Sequence, residues 1–270
     1  MKAVITAGGK GTRLYPITRA IPKELIPFCG VPIIEYGINF LKENSITDII
    51  VIVGTKKSPI IDYLGNGKLF GVNIVYVIQE SPEGLGHSVS TVEHYIDEDF
   101  IVLLGDTIFF GDGDLIEMIQ NHKHHKATVT ILLEHVSEKP ERYGIVKIDE
   151  SDNRIISVIE KPVSKYVLEE YRTQYKGADG WYSIAGLYII NKNIFNYLKK
   201  TVKGTNNEIQ LTDAIELSLN NKDVILGHVL KGKRIDIGSW YYIKDEREFY
   251  KNMADEDIEN IIKSREEKKM

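Results

Sequence analysis

Short, continuously apolar runs alternate with amphipathic stretches along the first half of the chain. The runs at 3–6, 49–53, 74–78, 100–104 and 128–133 are strand candidates. Between them, residues 32–41 put Ile34, Ile38 and Leu41 on one helical face. Residues 86–95 bring Val89 and Val92 together, with Tyr95 and Ile96 completing the stripe, and residues 115–122 fit a third helix. Such alternation predicts an α/β fold: a mostly parallel sheet with helices on both faces. Ligands in sheets of this kind bind beyond the carboxyl ends of the strands. The loop after the first strand and the turn at Asp106 both lie at such ends.

The second half changes character. Residues 144–148, 155–159 and 183–190 are strand candidates with fewer helices between them, which predicts antiparallel additions beside the parallel core. Residues 211–219 read as a helix with Leu211, Ile215 and Leu219 at four-residue spacing. Residues 239–250 read as another, entered at Ser239 as its N-cap, and the charged end at 263–270 is expected to fray. The expected organisation is one domain over 1–250, followed by a C-terminal helical segment over 239–270.

With 270 residues and 43% hydrophobic content, the chain can bury a sizeable core. A net charge of −5 argues against a nucleic-acid surface, which would be basic. The one cysteine, Cys29, excludes an intrachain disulfide and reads as a small, partly buried residue in a reducing compartment. No apolar run approaches the roughly 18 residues of a spanning helix, and no signal-peptide pattern precedes the first strand, so a cytoplasmic protein without a membrane partner is expected.

The candidate chemistry begins directly after the first strand. Ala7, Gly8, Gly9, Lys10, Gly11, Thr12 and Arg13 are followed by Pro22-Lys23-Glu24-Leu25. Glycines let a backbone approach a ligand closely and turn several N–H groups on one anion. Arg13 and Lys23 add positive charge, and a polyphosphate is the simplest ligand for the set. The string is not a Walker A loop. It is not a dinucleotide fingerprint either, because Leu14 stands where the third glycine belongs. A glycine turn with solvated Arg13 and Lys23 is the alternative.

Several other positions admit two readings. Asp106 ends an apolar run and either caps the next turn or holds a ligand; Asp236, before Ile237-Gly238, either caps a helix near Ser239 or does the same. Gln79 reads as a solvated loop amide, able both to donate and to accept. Tyr188 is a core tyrosine or a pocket wall. His87 reads as a helix-start residue without a chemical task, since no second histidine stands at metal-ligand spacing. Asp112 and Asp114 form a D-x-D string that reads as a helix cap in a glycine-rich turn.

The strings A-G-G-K-G-T-R-L and I-P-K-E-L-I-P-F resemble the signature of sugar-1-phosphate nucleotidyltransferases. Further blocks follow in order: residues 79–87, Leu103-Leu104-Gly105-Asp106, Glu141-Arg142-Tyr143-Gly144, Glu160-Lys161-Pro162, Ala185-Gly186-Leu187-Tyr188, residues 208–213 and Asp236. The resemblance implies the nucleotide-diphospho-sugar transferase fold, a Rossmann-like mixed sheet, with a nucleotide half at 1–135 and a sugar half at 136–238. It implies that Ala7, Gly8, Gly9, Gly11, Thr12, Arg13, Lys23, Gln79, Gly84 and Asp106 contact a nucleoside triphosphate. It assigns Gly144, Glu160, Lys161, Gly186 and Tyr188 to a sugar 1-phosphate, with Gly144 and Gly186 leaving room for the ring and Gly84 for the base. Arg13, Lys23 and Lys161 become the catalytic cations, and Asp106 and Asp236 the holders of Mg²⁺. The implied reaction is in-line attack of a sugar phosphate on the α-phosphorus, with glucose 1-phosphate and dTTP or UTP as substrates. A phosphate nucleophile, with its second pKa near ~6, needs no general base. A homodimer or homotetramer is implied as well.

Two departures stand out. Arg234 and Ile235 occupy the place where thymidylyltransferases carry an aromatic residue, and the stretch from Pro162 to Ala185 is longer than theirs. Residues 167–175 there are expected to form a short helix that covers the sugar pocket, joins a subunit interface, or is a solvated excursion. The competing functions are a nucleotide-sugar-dependent glycosyltransferase, which the D-x-D string would serve, and a non-catalytic regulatory relative.

Overall fold

Strand β1 (Ala3–Ala7) is apolar throughout because it runs between two parallel neighbours, β4 (Asp48–Gly54) and β6 (Phe100–Leu104). The computed structural model describes residues 1–111, 113–238, 240 and 242–251. Asp112, Ser239 and the charged end at 263–270 lie outside the described residues.

After β1 the chain makes short 3₁₀ turns and a small ribbon of β2 (Pro27–Phe28) and β3 (Val31–Pro32), then enters helix α1 (Ile33–Glu43). Helix α2 (Ser58–Leu64) follows β4 and leads to β5 (Asn73–Gln79), which pairs parallel with β4. The helix expected over 86–95 is split. Helix α3 (Leu85–Ser90) stops at Thr91, and Glu93–Tyr95 form a 3₁₀ turn in which Tyr95, expected to complete the stripe, is exposed. Past β6 come β7 (Thr107–Phe110), α4 (Asp114–His125) and β8 (Val129–Val136).

The second half adds β9 (Gly144–Asp149), β10 (Arg154–Glu160), α5 (Lys165–Glu170), β11 (Thr173–Tyr175) and the long β12 (Ala178–Ile190). Helices α6 (Ile194–Leu198) and α7 (Leu211–Asn220), strands β13 (Ile225–Val229) and β14 (Lys233–Asp236), and helix α8 (Tyr242–Lys251) complete it. The expected helix over 167–175 divides instead. Only α5 is helical, and β11 folds back on β12 with Thr173 opposite Gly180.

Among the described residues one ten-stranded sheet runs β5-β4-β1-β6-β12-β8-β13-β10-β9, with β11 on β12. Its first four strands are parallel; β12 joins antiparallel to β6, and β9 and β10 pair antiparallel. The parallel half with antiparallel additions therefore forms as the patterning predicts. Strand residues alternate between two cores. Val4, Ile52 and Val102 face one side with Val89, Phe195 and Ile215 of α3, α6 and α7. Ile5, Val51 and Leu103 face the other with Ile38, Ile60 and Met118 of α1, α2 and α4. Each fully buried aliphatic chain contributes about 1.5–3 kcal/mol, so these two layers hold the sheet rigid beneath its loops.

A third core fixes the carboxyl-end loops. Leu14, buried where a third glycine would have been, packs with Ile26, Phe28, Ile33, Ile108, Ile235 and Ile237. That cluster ties the glycine loop to the antiparallel ribbon of β7 and β14. Cys29, expected to be partly buried, is buried outright, and its N–H donates to Glu246 Oε1 of α8 at 2.7 Å. Among the described residues, no helix is long and apolar enough to cross a membrane.

Candidate active site

The glycine loop leaves β1 at buried Ala7 and bends over the end of β5. A Cβ on Gly8 would fall on the Gln79 amide oxygen, so only glycine admits that side chain. A Cβ on Gly9 would lie 3.5 Å from Lys23 Nζ. Gly11 has φ +64°, and Thr18 closes the loop by donating its hydroxyl to the Gly11 carbonyl at 2.7 Å. Thr12 and Arg13 follow on the exposed side of a 3₁₀ turn whose third residue, Leu14, is the buried anchor.

Lys23 begins the next 3₁₀ turn and forms an ion pair with Asp106. Burial pulls the Lys23 ammonium down, but Asp106, Glu24 and Asp236 outweigh it and hold its pKa above the ordinary value. Burial likewise pushes the Asp106 carboxyl up, and the charge and hydrogen bond of Lys23, with the charge of Arg13, bring it below the usual range. Both groups are therefore charged at neutral pH.

Asp106 and Asp236 arrive from distant sequence by way of the β7–β14 ribbon. Asp236 stands opposite Thr107, and the Ile237 N–H donates to the Asp106 carbonyl at 3.0 Å. Asp236 Oδ1 accepts the Gly238 N–H at 2.7 Å, and a Cβ on Gly238 would lie 3.3 Å from Arg13 Nη2. Arg13, Lys23, Asp106 and Asp236 thus form one cluster at the ends of β1 and β6. Among the described residues, no group of three or more acidic, histidine or cysteine side chains could hold a metal. Two hard carboxylates fit Mg²⁺, which takes one or two of them and draws its remaining oxygens from phosphates and water.

Gln79 is 3% exposed and its Nε2 lies 2.9 Å from His87 Nδ1. His87, expected to have no task beyond starting a helix, touches the candidate base-reading amide. Gly84 has φ +107°, and its Cβ would lie 2.5 Å from the Ile209 carbonyl. Its close approach is to that backbone: Ile209 N–H donates to Glu83 O at 2.7 Å, and Gly86 N–H to Ile209 O at 2.9 Å.

Lys161 Nζ lies 2.8 Å from Glu160 Oε1, and the Thr212 hydroxyl donates to Glu160 Oε2 at 3.1 Å. A Cβ on Gly144 would lie 3.1 Å from Glu160 Oε2 and 2.8 Å from Ile184 Cδ1. One on Gly186 would meet Leu104 Cδ1 at 2.9 Å. The absent Cβ atoms admit these protein neighbours. Tyr188 is buried in the core, and its hydroxyl is pushed up by burial and by the Glu160 charge, with Arg234 opposing.

Three further groups have partners that the local sequence does not show. Arg234 is nearly buried, donates from Nε to Glu134 Oε2 at 2.8 Å, and lies 5.1 Å from the Tyr143 ring centre. It links the Tyr143-Gly144 wall to Asp236, two residues on. Glu24 is fully buried and accepts from Lys57 Nζ with both oxygens at 2.7 Å, beneath Lys23. The P-K-E string flagged Glu24, but nothing local marks Lys57. Asp114, read as a helix cap, accepts from His228 Nε2 at 2.8 Å and from the Lys231 N–H, which joins α4 to the chain between β13 and β14. That engagement leaves the D-x-D string without a free second acid; Asp112 lies outside the described residues.

A profile described as nucleotidyl transferase matches residues 2–253. A UTP–glucose-1-phosphate uridylyltransferase of Staphylococcus saprophyticus is 35% identical, with 88% of each chain covered. A low-salt glycan biosynthesis nucleotidyltransferase of Haloferax volcanii is 32% identical over 88% of this chain, which spans only 62% of that relative. The solved structure of a UTP-bound UGPase from Acinetobacter baumannii superposes with a TM-score of 0.77 at 28% identity, covering 97% of this chain and 98% of that one.

Proposed function

The chain belongs to the nucleotidyl transferase family, and from that membership we propose that it joins glucose 1-phosphate to UTP or dTTP, releasing pyrophosphate. It is a sugar-1-phosphate nucleotidyltransferase. The observation that carries the finer reading is the meeting of Arg13, Lys23, Asp106 and Asp236 beside the glycine loop.

The loop from Gly8 to Gly11 cradles the triphosphate with its N–H groups, and Arg13 neutralises the leaving pyrophosphate. Lys23 moves from Asp106 to the phosphates, bridging the α-phosphate and the incoming phosphate. Lys161 grips that incoming phosphate, and Glu160, held by Thr212, accepts from sugar hydroxyls. Asp106 and Asp236 would hold Mg²⁺, which when bound draws negative charge from the phosphates. Aligning two anions in line, with their charge offset, is the whole catalytic task, and no covalent intermediate is needed.

The relative named for UTP and the UTP-bound neighbour favour UTP. The methyl group that distinguishes thymine is worth only about 1–3 kcal/mol in a pocket, so dTTP is expected to serve as well. We place the enzyme in the cytoplasm as a homodimer or homotetramer, which light scattering after gel filtration reads directly. A pyrophosphate-release assay with glucose 1-phosphate, Mg²⁺ and each triphosphate tests the reaction. Release that depends on the sugar phosphate supports it. Consumption of a nucleotide-sugar with an acceptor points to a glycosyltransferase, and silence to a non-catalytic relative.

A further inference from the structure

We propose that Lys57 is a positioning residue for the reaction: by neutralising Glu24 it keeps that carboxylate from capturing Lys23, whose ammonium is then free to leave Asp106 for the phosphates. The inference rests on the nucleotidyltransferase reading for the task of Lys23, and on the contacts of Glu24 for its substance.

Four charges alternate in sign from the site into the protein: Asp106, Lys23, Glu24 and Lys57. They come from three neighbouring strand ends. Lys23 and Glu24 follow the glycine loop of β1, Asp106 lies between β6 and β7, and Lys57 lies between β4 and α2. The Lys57 N–H donates to the Gly54 carbonyl at 3.0 Å, and a Cβ on Gly54 would lie 3.2 Å from the Gly8 carbonyl oxygen. The turn that carries Lys57 therefore abuts the glycine loop. A Cβ on Gly105 would lie 3.4 Å from Glu24 Cγ, which sets the Glu24 side chain against the residue before Asp106.

Glu24 is 0% exposed and cannot turn to water. A buried carboxylate needs a cation or donors on it. Two ammonium groups stand near: burial pushes the Glu24 carboxyl up, and the charges of Lys23 and then of Lys57 oppose it. Lys57 makes the hydrogen bonds. Its Nζ reaches both Glu24 oxygens at 2.7 Å, from a side chain that is itself 11% exposed. Lys23 donates to Asp106 instead. Without Lys57, Lys23 would be the nearest cation of two carboxylates at once, and its move to the phosphates would strand both.

The test compares wild type, K57M, E24Q and E24Q/K57M by kcat/KM for pyrophosphate release, by calorimetric Kd for UTP with Mg²⁺, and by denaturant unfolding. K57M should lose about tenfold in both activity and UTP affinity, the equivalent of one charge-assisted hydrogen bond. E24Q breaks the same ion pair but leaves no carboxylate to capture Lys23, and should stay within about threefold of wild type. E24Q/K57M should return to the E24Q level. Should K57M fail to fold, K57Q fills the volume, leaves Glu24 without its cation and is expected to behave as K57M. A pair that serves stability alone would make the lysine variant and E24Q fall together in activity, and that result overturns the proposal. So does a lysine variant with wild-type turnover and affinity, the outcome expected if Glu24 takes up a proton once Lys57 is gone. UTP affinities that follow the expected pattern, with no pyrophosphate released by wild type, would sink the proposed reaction and leave this inference standing. A wild type that binds no UTP would sink both.

Discussion

Lys23 pairs with Asp106, so one member of the acidic pair is already neutralised by a cation. The side chains are 16% and 14% exposed, so neither charge is easily left alone. K23M should therefore cost about 2 kcal/mol of stability, less than the ~3–5 kcal/mol of a fully buried broken pair. K23M/D106N should recover part of that loss, because the stranded carboxylate is gone. Denaturant unfolding of the four proteins in the cycle reads the coupling, and strict additivity would contradict the pairing.

The proposed reaction gives Lys161 the sugar phosphate and Arg13 the triphosphate. K161A should raise the KM for glucose 1-phosphate and lower its kcat/KM about a hundredfold, with UTP affinity within twofold of wild type. R13A should weaken the triphosphate instead. Initial-rate kinetics with each substrate varied in turn separate the two, and a uniform loss in both variants would contradict the division.

Gly84 is held by backbone geometry. An alanine there meets a φ of +107° and brings its Cβ within 2.5 Å of the Ile209 carbonyl. G84A should lower stability by about 1–3 kcal/mol and raise the KM for UTP, leaving glucose 1-phosphate unaffected. Thermal unfolding with the same kinetics checks it.

His122 is 1% exposed, with Nδ1 2.9 Å from the Thr130 hydroxyl. Burial lowers its pKa below the ordinary 6.5, with Asp99 opposing and Lys123 assisting. The folded protein then binds fewer protons than the unfolded chain, so this contribution to stability is present above pH 6.5 and is lost as the pH falls below it. Tm should decline on acidification, and H122N, which does not titrate, should decline less steeply. Equal slopes would remove His122 from the account.

The parallel half of the sheet was legible because its strands are largely apolar runs and helices α1 and α4 fall where their stripes predict, whereas α2, α6 and β13 are too short to show a period. Helix α3 was overextended because Val92 continues the periodicity of Val89, while the chain in fact turns at Thr91 to let Glu93–Tyr95 form a 3₁₀ turn. The cluster of Arg13, Lys23, Asp106 and Asp236 was nameable from motifs, but its assembly was not. Asp236 reaches Asp106 through a ribbon between β7 and β14, and cross-strand pairing of segments so distant leaves no local trace. Lys57 and the partner of Arg234 stayed hidden for the same reason, since Glu24 and Glu134 lie far away in sequence. Gly144, Gly84 and Gly186 were legible as special positions. What each admits, a carboxylate or a neighbouring chain, depends on tertiary packing.

The most direct test is pyrophosphate release by wild type, D106N and D236N with UTP, glucose 1-phosphate and titrated Mg²⁺. Loss of at least about a hundredfold in kcat, equivalent to roughly 3 kcal/mol, is expected for each variant, with glucose 1-phosphate binding retained. Either variant turning over within threefold of wild type would contradict the claim that these two carboxylates organise the reaction.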